Sequence, residues 1–305
     1  MTQPIIRAHG RETEATIFDK YVIKRPKENL GAEARIAWLA KQHKTKNALD
    51  EIYNVGNPRY NIPQMHFIED DKFQLLEDRA YGEPLTADLF NKLTQRQRYE
   101  IVDGIAAFLV DMNELKPVED YKTHKISDEI KFNRLNLFIE NKMSKWFKKA
   151  EIQTMARIRD MVGTYKYETR RAWSHCDLNP GNVLYDYTTS TISFIDFAEA
   201  NYNYIYRDIF APLQIELGIF KQVYEAYYKM HNHECYRIPA ITNQSLREIM
   251  KFRIMLIALK RFIKASDDLR TNSTNKKTIQ NNINKVAFIR EQITALTNIE
   301  LQFSK

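Results

Sequence analysis

The sequence predicts an α+β protein of two lobes, a small β-rich N-terminal lobe (residues 1–78) and a larger, mainly helical C-terminal lobe (residues 79–305). Three observations lead to this prediction. Short runs rich in β-branched residues fill most of the first lobe. Apolar residues with helical spacing dominate the second lobe. One hairpin pattern, over residues 183–197, interrupts the helical stretches with two apolar runs around the polar turn "DYTTST".

The N-terminal lobe is predicted to contain strands and one helix. Two apolar stretches flank Gly10, and the run "KYVIKRP" predicts a third strand. The segment "GAEARIAWLAKQ" has helical spacing, with Ile36, Leu39 and Ala40 on one face. Two further strands are expected in "YNIPQMHFIEDDKFQLLED", on either side of an acidic turn at residues 69–71.

The C-terminal lobe is predicted to be helical on both sides of the hairpin. One helix begins at the N-cap Thr94. Its apolar stripe consists of Ile101, Ile105, Phe108 and Leu109. Further helices are predicted over residues 127–150 and 152–171, and the chain is again helical from about Arg207.

Composition excludes several classes of protein. Apolar residues make up 44% and charged residues 28% of the 305 residues, as in an ordinary globular protein. Cys176 and Cys235 do not form a disulfide framework or a zinc-binding pattern, which indicates a reducing compartment. The N-terminus lacks a signal peptide, and no apolar run approaches the about 20 residues of a membrane span. We therefore expect a cytoplasmic protein without a membrane span.

The chain is basic, with a net charge of +7, and this raises the question of an anionic partner. The clearest basic cluster is Lys251–Lys264, "KFRIMLIALKRFIK". On a helix its basic residues occupy more than one face, which favours a solvated surface; a membrane or nucleic-acid surface is the alternative. We expect no nucleic-acid partner, and the sequence leaves the oligomeric state open.

The segment "WSHCDLNPGN" and the following "FIDF" carry the chemistry. His175, Asp177 and Asn182 follow the pattern H-x-D-x-x-x-x-N, and Asn179-Pro180-Gly181 forces a turn between them, in which glycine permits a positive φ. Because antiparallel strands are neighbours, the hairpin should return Asp196 to the side of this loop. The sequence therefore predicts two carboxylates and one amide in a small space.

Phosphoryl transfer requires this set of groups. Mg²⁺ prefers oxygen ligands, and a carboxylate at the attacking hydroxyl orients it and accepts its proton. A lysine on the phosphates is also expected. Lys24 lies on a β-branched strand of the N-terminal lobe, and Glu33, at the start of the following helix, is placed to pair with it.

The chain resembles the aminoglycoside phosphotransferase and choline kinase family, whose fold is similar to that of protein kinases. "HCDLNPGN" followed by "IDF" resembles the motif pair of that family. "VIK" with "AEARIAWL", "LLEDRAYGEPL" at the expected interlobe hinge and the pair Arg207-Asp208 support the resemblance, which covers roughly residues 5–263. It implies a bilobal protein-kinase-like fold and transfer of the γ-phosphate of ATP to a hydroxyl.

The resemblance also implies roles for individual residues. Asp177 would be the catalytic base, with His175 a structural part of the catalytic loop, and Asn182 and Asp196 would bind Mg²⁺. The residues implied to bind ATP are Lys24 on the α/β-phosphates, Glu33 as its ion-pair partner, Gly10 in the nucleotide loop, and the hinge backbone of Leu76, Glu77 and Asp78 at the adenine.

The phosphate acceptor is the least constrained part of the prediction. In this family cationic acceptors need acidic or aromatic walls. The candidates here are Glu199, Asp208, Glu216 and Tyr202. The basic chain argues weakly against a polycationic aminoglycoside, so a small amino alcohol or sugar is the first choice. The alternatives are a nucleotide-binding regulator or scaffold without turnover, and a kinase acting on a protein or lipid.

Overall fold

The computed structural model describes residues 6–9, 13–68, 74–115, 122–125, 149–150, 153, 166–169, 171–204, 206–209 and 211–230. A five-stranded antiparallel sheet occupies the N-terminal region, as the sequence predicts. Its strands are β1 (Ile6–His9), β2 (Thr13–Ile17), β3 (Tyr21–Pro26), β5 (Met65–Ile68) and β6 (Gln74–Asp78); the two-residue β4 (Tyr60–Asn61) belongs to another sheet. The order β1-β2-β3-β6-β5 places β6 between two neighbours. Gly10 and the acidic turn lie outside the described residues.

The helix α1 (Ala32–Val55) follows β3, and its buried face differs from the predicted one. Its buried residues include Trp38, Gln42, Thr45, Leu49 and Ile52, which recur every three or four positions. The predicted face was wrong, because Ile36 lies two residues from Trp38 and therefore about 200° away around the helix. Its side chain is accordingly 59% exposed.

The helix α3 (Gln95–Glu114) forms the core of the C-terminal region and confirms the prediction for this segment. It follows the short α2 (Ala87–Lys92) and begins at Thr94, whose side chain accepts from the Gln97 backbone in a capping box. The predicted apolar stripe is buried throughout. From this stripe, Phe108 stacks on Phe194 with the ring centroids 3.8 Å apart.

The predicted hairpin is present as β11 (Val183–Asp186) and β12 (Thr191–Phe194), within a sheet of order β4-β12-β11-β7. The strand β7 (Glu83–Pro84) begins after Gly82, which has a φ of +114°. A Cβ atom at Gly82 would lie 2.4 Å from the carbonyl oxygen of Tyr185, so only glycine fits there. This close approach joins the segment after β6 to the hairpin.

A second antiparallel pair encloses the stretch of chain that contains both "WSHCDLNPGN" and "FIDF". It consists of β10 (Arg171–Ser174) and β13 (Asn201–Tyr204). Beyond it the described residues are helical, as predicted, in α4 (Tyr206–Ile209), α5 (Pro212–Glu216) and α6 (Phe220–Met230). The basic cluster at 251–264 lies outside the described residues, as does nearly all of the helix predicted over residues 127–150.

The helix predicted over residues 152–171 was wrong at its C-terminal end. Residues Lys166–Thr169 form the strand β9, which pairs with β8 (Lys122–Lys125). Tyr167 and Thr169 favour strands, and a partner more than forty residues earlier in the chain completes the ladder. The predicted helix therefore does not include residues 166–169, which pair as a strand.

The chain divides into two compact units. The first comprises Met1–Glu119 and Arg171–Arg237; the second comprises Asp120–Arg170 and Ile238–Lys305 and contains the β8–β9 pair. Both sides of the predicted lobe boundary at Asp78 belong to the first unit, and the two-lobe division of the whole chain stays a prediction. No helix in the described ranges has the length and apolar content needed to cross a membrane.

Candidate active site

The loop between β10 and β11 is shaped by Asn179. Its side-chain oxygen accepts from the Gly181 backbone at 2.9 Å, and its amide nitrogen donates to the Asp177 carbonyl at 3.1 Å. Gly181 is not among the described glycines with a positive φ, so that part of the prediction was wrong. A Cβ atom there would lie 3.1 Å from Asn179 Oδ1, which is closer than an ordinary van der Waals contact.

The structure brings Asp177, Asn182 and Asp196 together. The Asn182 Nδ2 atom donates to Asp177 Oδ2 at 3.0 Å and to the Asp177 carbonyl at 2.9 Å. The backbone N–H of Ile195 donates to the Asn182 carbonyl at 3.0 Å, which carries the end of the hairpin to the loop. The Asp177 side chain stays exposed while Asn182 is buried. Because its Nδ2 faces Asp177, the amide oxygen of Asn182 points elsewhere.

Asp196 adopts a left-handed backbone conformation, with φ 61° and ψ 61°. This conformation costs about 1–2 kcal/mol for a residue with a Cβ, and it persists only where the surroundings enforce it. The next residue, Phe197, is fully buried and lies against His175 with ring centroids 4.6 Å apart. The buried ring therefore fixes the turn, while the Asp196 side chain remains 50% exposed.

His175 connects the loop to the hairpin and is fully buried. Its Nε2 lies 2.9 Å from the carbonyl oxygen of Ile195, and its Nδ1 accepts from the Asp177 backbone N–H at 3.3 Å. A carbonyl only accepts and an N–H only donates, so the neutral tautomer protonated at Nε2 satisfies both contacts. Both ring nitrogens of His175 are thereby engaged with the backbone.

The side chain of Asp208 forms hydrogen bonds with the backbone of the loop that carries Asp177. Its Oδ2 accepts from the backbone N–H of His175 at 2.5 Å, and its Oδ1 accepts from that of Cys176 at 3.0 Å. Burial raises the pKa of Asp208, although the hydrogen bonds from these two backbone N–H groups oppose that effect. Its assignment to the acceptor was wrong, because both oxygens of this buried carboxylate face the backbone.

Cys176 is expected to be unreactive despite its place beside Asp177. Burial raises the pKa of its thiol to about 12, from an ordinary value of 9.0. At pH 8 we expect iodoacetamide to alkylate it about 50-fold more slowly than in the denatured protein, since the smaller thiolate fraction outweighs the greater nucleophilicity of that thiolate. Peptide-resolved mass spectrometry measures both rates in one sample series.

The pH dependence of the alkylation rate distinguishes a raised pKa of Cys176 from simple steric shielding of its thiol. The rate in the folded protein should still rise about tenfold per pH unit between pH 8 and 10, while the rate in the denatured protein levels off. Equal plateaus near pH 9 in both states would contradict the raised pKa of Cys176.

Lys24 forms an ion pair with Glu77, a residue that was predicted to contact the adenine through its backbone. Its Nζ lies 2.9 Å from Glu77 Oε2 and 3.7 Å from Asp196 Oδ1. Glu33 is exposed in the first turn of α1, and the described ion pairs of Lys24 do not include it. The predicted Lys24–Glu33 pair was therefore wrong, because the diagonal contact between β3 and β6 supplies the carboxylate instead.

The backbone groups that were predicted to bind the adenine form hydrogen bonds within the protein instead. Leu76 and Glu77 lie within β6 and pair with residues of both β3 and β5. The backbone N–H of Asp78 donates to the Gln64 carbonyl, and that of Arg79 donates to the Lys20 carbonyl, each at 3.0 Å. Because these backbone groups are engaged within the sheet, they do not offer the adenine the free partners that the prediction requires.

A cleft of about 520 Å³ contains Asp177 and Asp196 in its lining, together with Lys41 and Glu199. Glu199 thus lies at the predicted site, but its Oε1 is 3.1 Å from Lys41 Nζ, so its charge is paired. Tyr202 lies on β13 opposite Trp173, and Glu216 ends α5. Neither residue is among the described residues that line this cleft.

A charge swap tests the Lys41–Glu199 pair. We expect Lys41→Glu to weaken Mg-nucleotide binding about fivefold, since it places a further acid beside the two cleft aspartates and an exposed pair contributes no more than about 1 kcal/mol. The double variant Lys41→Glu/Glu199→Lys should recover most of this loss in a calorimetric titration. A double variant that binds as weakly as Lys41→Glu would show that the pair does not act as a unit.

This fold and this arrangement of groups define a phosphotransferase that acts on a hydroxyl. A family model described as "Phosphotransferase enzyme family" matches residues 15–232, well over half of the chain. The chain therefore belongs to the phosphotransferase enzyme family. No curated protein sequence matches the chain.

Solved structures share the fold at low sequence identity. The GDP and kanamycin complex of APH(2″)-IIia has a TM-score of 0.65 at 14% identity, covering 95% of this chain and 93% of that chain. A choline/ethanolamine kinase family protein from Mesorhizobium loti has a TM-score of 0.57 at 12% identity, covering 96% and 88%. Choline kinase LicA from Streptococcus pneumoniae has a TM-score of 0.53 at 11% identity, covering 94% and 92%. These likenesses confirm the predicted protein-kinase-like fold.

Proposed function

We propose that this phosphotransferase transfers the γ-phosphate of ATP to the hydroxyl of a small molecule, with Mg²⁺ as cofactor. The observation that carries the proposal is that Asp177 and Asp196 line one cleft and that each is contacted by a further polar side chain. Asn182 Nδ2 lies 3.0 Å from Asp177 Oδ2, and Lys24 Nζ lies 3.7 Å from Asp196 Oδ1. A base, two oxygen donors for a metal and a phosphate-binding cation are thereby placed together.

Asp177 is the proposed catalytic base. Its carboxylate is exposed to the cleft, while Asn182 holds one of its oxygens and His175 Nδ1 holds its backbone. A carboxylate fixed in this way orients an acceptor hydroxyl and takes its proton as the phosphoryl group transfers. The left-handed Cys176 directly before it turns the chain so that Asp177 leaves the buried loop.

Asn182 and Asp196 are the proposed metal ligands. Both supply oxygen, the donor that Mg²⁺ prefers. The amide orientation fits this role, because Asn182 donates with Nδ2 to Asp177 and keeps Oδ1 for another partner. The half-exposed Asp196 carboxylate fits as well. Held by these two side chains, Mg²⁺ would supply positive charge that neutralises the charge developing on the transferred phosphoryl group.

Lys24 is the proposed contact for the nucleotide phosphates. Burial alone would lower its pKa, but the carboxylates of Glu77 and Asp196 outweigh that effect and raise it. The ammonium group therefore stays charged at neutral pH. The relatives support a nucleotide as donor, since solved neighbours were determined with GDP, with ADP, or with ATP and streptomycin.

The proposed acceptor is a small hydroxylated molecule such as an amino alcohol or sugar, with an aminoglycoside-like compound as the alternative. The neighbours include a kanamycin complex and choline kinases. In the described part of the cleft, the charge of Glu199 is offset by Lys41, and the whole chain carries +7. This balance favours an acceptor with one positive charge or none over a polycation.

The test is nucleotide consumption with a panel of acceptors, run with ATP and with GTP beside Asp177→Asn. The panel contains choline, ethanolamine, simple sugars and kanamycin. We expect one acceptor class to raise ADP release above the background of the variant. If none does, while Mg-ATP still raises the melting temperature, the chain is a nucleotide-binding regulator and the proposal is wrong. Faster turnover with GTP would reassign the phosphate donor alone.

A further inference from the structure

We propose that Glu77, on the strand β6 next to β3, is the residue that positions Lys24 for the nucleotide phosphates, and that no acid of α1 shares this task. The inference rests on the proposed function, in which Lys24 contacts those phosphates. In this proposal an acid of the sheet, and not an acid of the helix α1, fixes the position of the Lys24 ammonium group.

The strand register makes Lys24 and Glu77 neighbours. Lys24 lies opposite Leu75, and Val22 lies opposite Glu77, so Lys24 and Glu77 form a diagonal pair on one face of the sheet. Their charged atoms are 2.9 Å apart, with side chains only 16% and 5% exposed. A buried carboxylate requires such a partner, because an unpaired charge at this depth strongly destabilises a fold.

The helix α1 has no acid in the part that faces the cleft. Its residues that line the cleft include Trp38, Lys41 and Gln42. Positions 34–49 contain no aspartate or glutamate, so the acids of α1 lie only near its two ends. Glu33 is exposed at one end, and Asp50, near the other, pairs with Lys46 at 2.5 Å. An ion pair between Lys24 and the middle of α1 is therefore chemically excluded.

The two acids that contact Lys24 differ in their distance from it and in their exposure. Asp196 is 3.7 Å away and half exposed, whereas Glu77 is 2.9 Å away and buried. When Asp196 serves a metal ion, Glu77 remains as the fixed counter-charge. An ammonium group has three donors, so one directed at Glu77 leaves others for phosphate oxygens. Because β3 and β6 are adjacent strands, this placement does not depend on the position of α1.

Glu77→Gln tests the inference, with Glu33→Gln as a matched control on the surface of α1. Titration calorimetry with Mg-ATP and with adenosine separates the phosphate contribution from that of the base. We expect Glu77→Gln to weaken Mg-ATP binding about 10- to 100-fold and to leave adenosine binding within about twofold. Glu33→Gln should leave both affinities unchanged. Equal losses for both ligands would indicate a general structural role and would overturn the inference.

Lys24→Met and the double variant Lys24→Met/Glu77→Gln distinguish this inference from the proposed function. If Glu77 acts through Lys24, the double variant binds Mg-ATP no more weakly than Lys24→Met. If Lys24→Met loses affinity while Glu77→Gln does not, only the role of Glu77 fails. If Lys24→Met binds Mg-ATP normally, the proposed phosphate contact fails as well. Should Glu77→Gln not fold, Glu77→Asp keeps the charge, withdraws it from Lys24 and must show a smaller loss of the same kind.

Discussion

Replacing Asp177 with asparagine is expected to lower kcat by about 10²- to 10⁴-fold, the usual contribution of a general base. The substitution keeps one side-chain oxygen, so the hydrogen bond from Asn182 Nδ2 can persist and the loop should keep its shape. What is lost is the ability to take a proton from the acceptor. Steady-state assays with the acceptor found in the panel give kcat and KM separately.

Binding measurements provide the control for this prediction. Mg-ATP affinity should stay within about threefold of the unaltered protein, because the predicted metal ligands and Lys24 are unchanged. Asp186→Asn is the matched control, since Asp186 lies in the exposed turn of the hairpin and should leave kcat unaffected. A variant at position 177 that retained most of its turnover would remove the base from the mechanism.

The catalytic loop could be predicted from sequence because its contacts are local. Asp177 and Asn182 are five residues apart and joined by a turn that proline and asparagine specify. Asp196 is brought back by a hairpin of two short apolar strands, which pair as predicted. Short loops of this kind leave few alternative arrangements, so the spacing alone indicates that the three side chains meet.

The partner of Lys24 could not be predicted in the same way. Glu33 is close in sequence, but Glu77 is fifty-three positions away and becomes a neighbour only through the pairing of β3 with β6. Register between distant strands depends on which face is buried, and the sequence does not state it. A signal was nevertheless present, because positions 34–49 of α1 contain no acid. That stretch excludes an acid in the middle of α1 as the partner, although it does not exclude Glu33.

The role of Asp208 could not be predicted from the sequence either. The sequence predicts an acid near the site, and an acid near a cleft is as compatible with ligand contact as with support of the backbone. The deciding facts are its burial and its two hydrogen bonds to residues about thirty positions earlier. The hinge was misplaced for a related reason, since the end of β6 depends on strands that pair with it on both sides.

Asp208→Asn is expected to lower the free energy of unfolding by about 2–4 kcal/mol. The carboxylate accepts from two backbone N–H groups, and an amide offers only one accepting oxygen and directs its own donors at the other N–H. Asp186→Asn is again the matched control, because Asp186 also accepts a backbone N–H, from Thr188 at 2.8 Å, but in an exposed turn where water replaces it. Urea denaturation measures both variants, and equal stability would contradict the buried support that the structure assigns to Asp208.

The pH dependence of this loss follows from the raised pKa of Asp208. The folded protein holds the proton of this carboxyl more tightly than the unfolded chain, whose value is near 3.8. The stability that Asp208 contributes by titration is therefore complete below that value and is lost as the pH rises through the folded pKa. Asparagine does not titrate, so the difference between the unaltered protein and Asp208→Asn should be larger at pH 4.5 than at pH 7.5. A gap that widened towards pH 7.5 would mean that hydrogen bonding outweighs burial at this carboxyl, and that its pKa is lowered in the folded state.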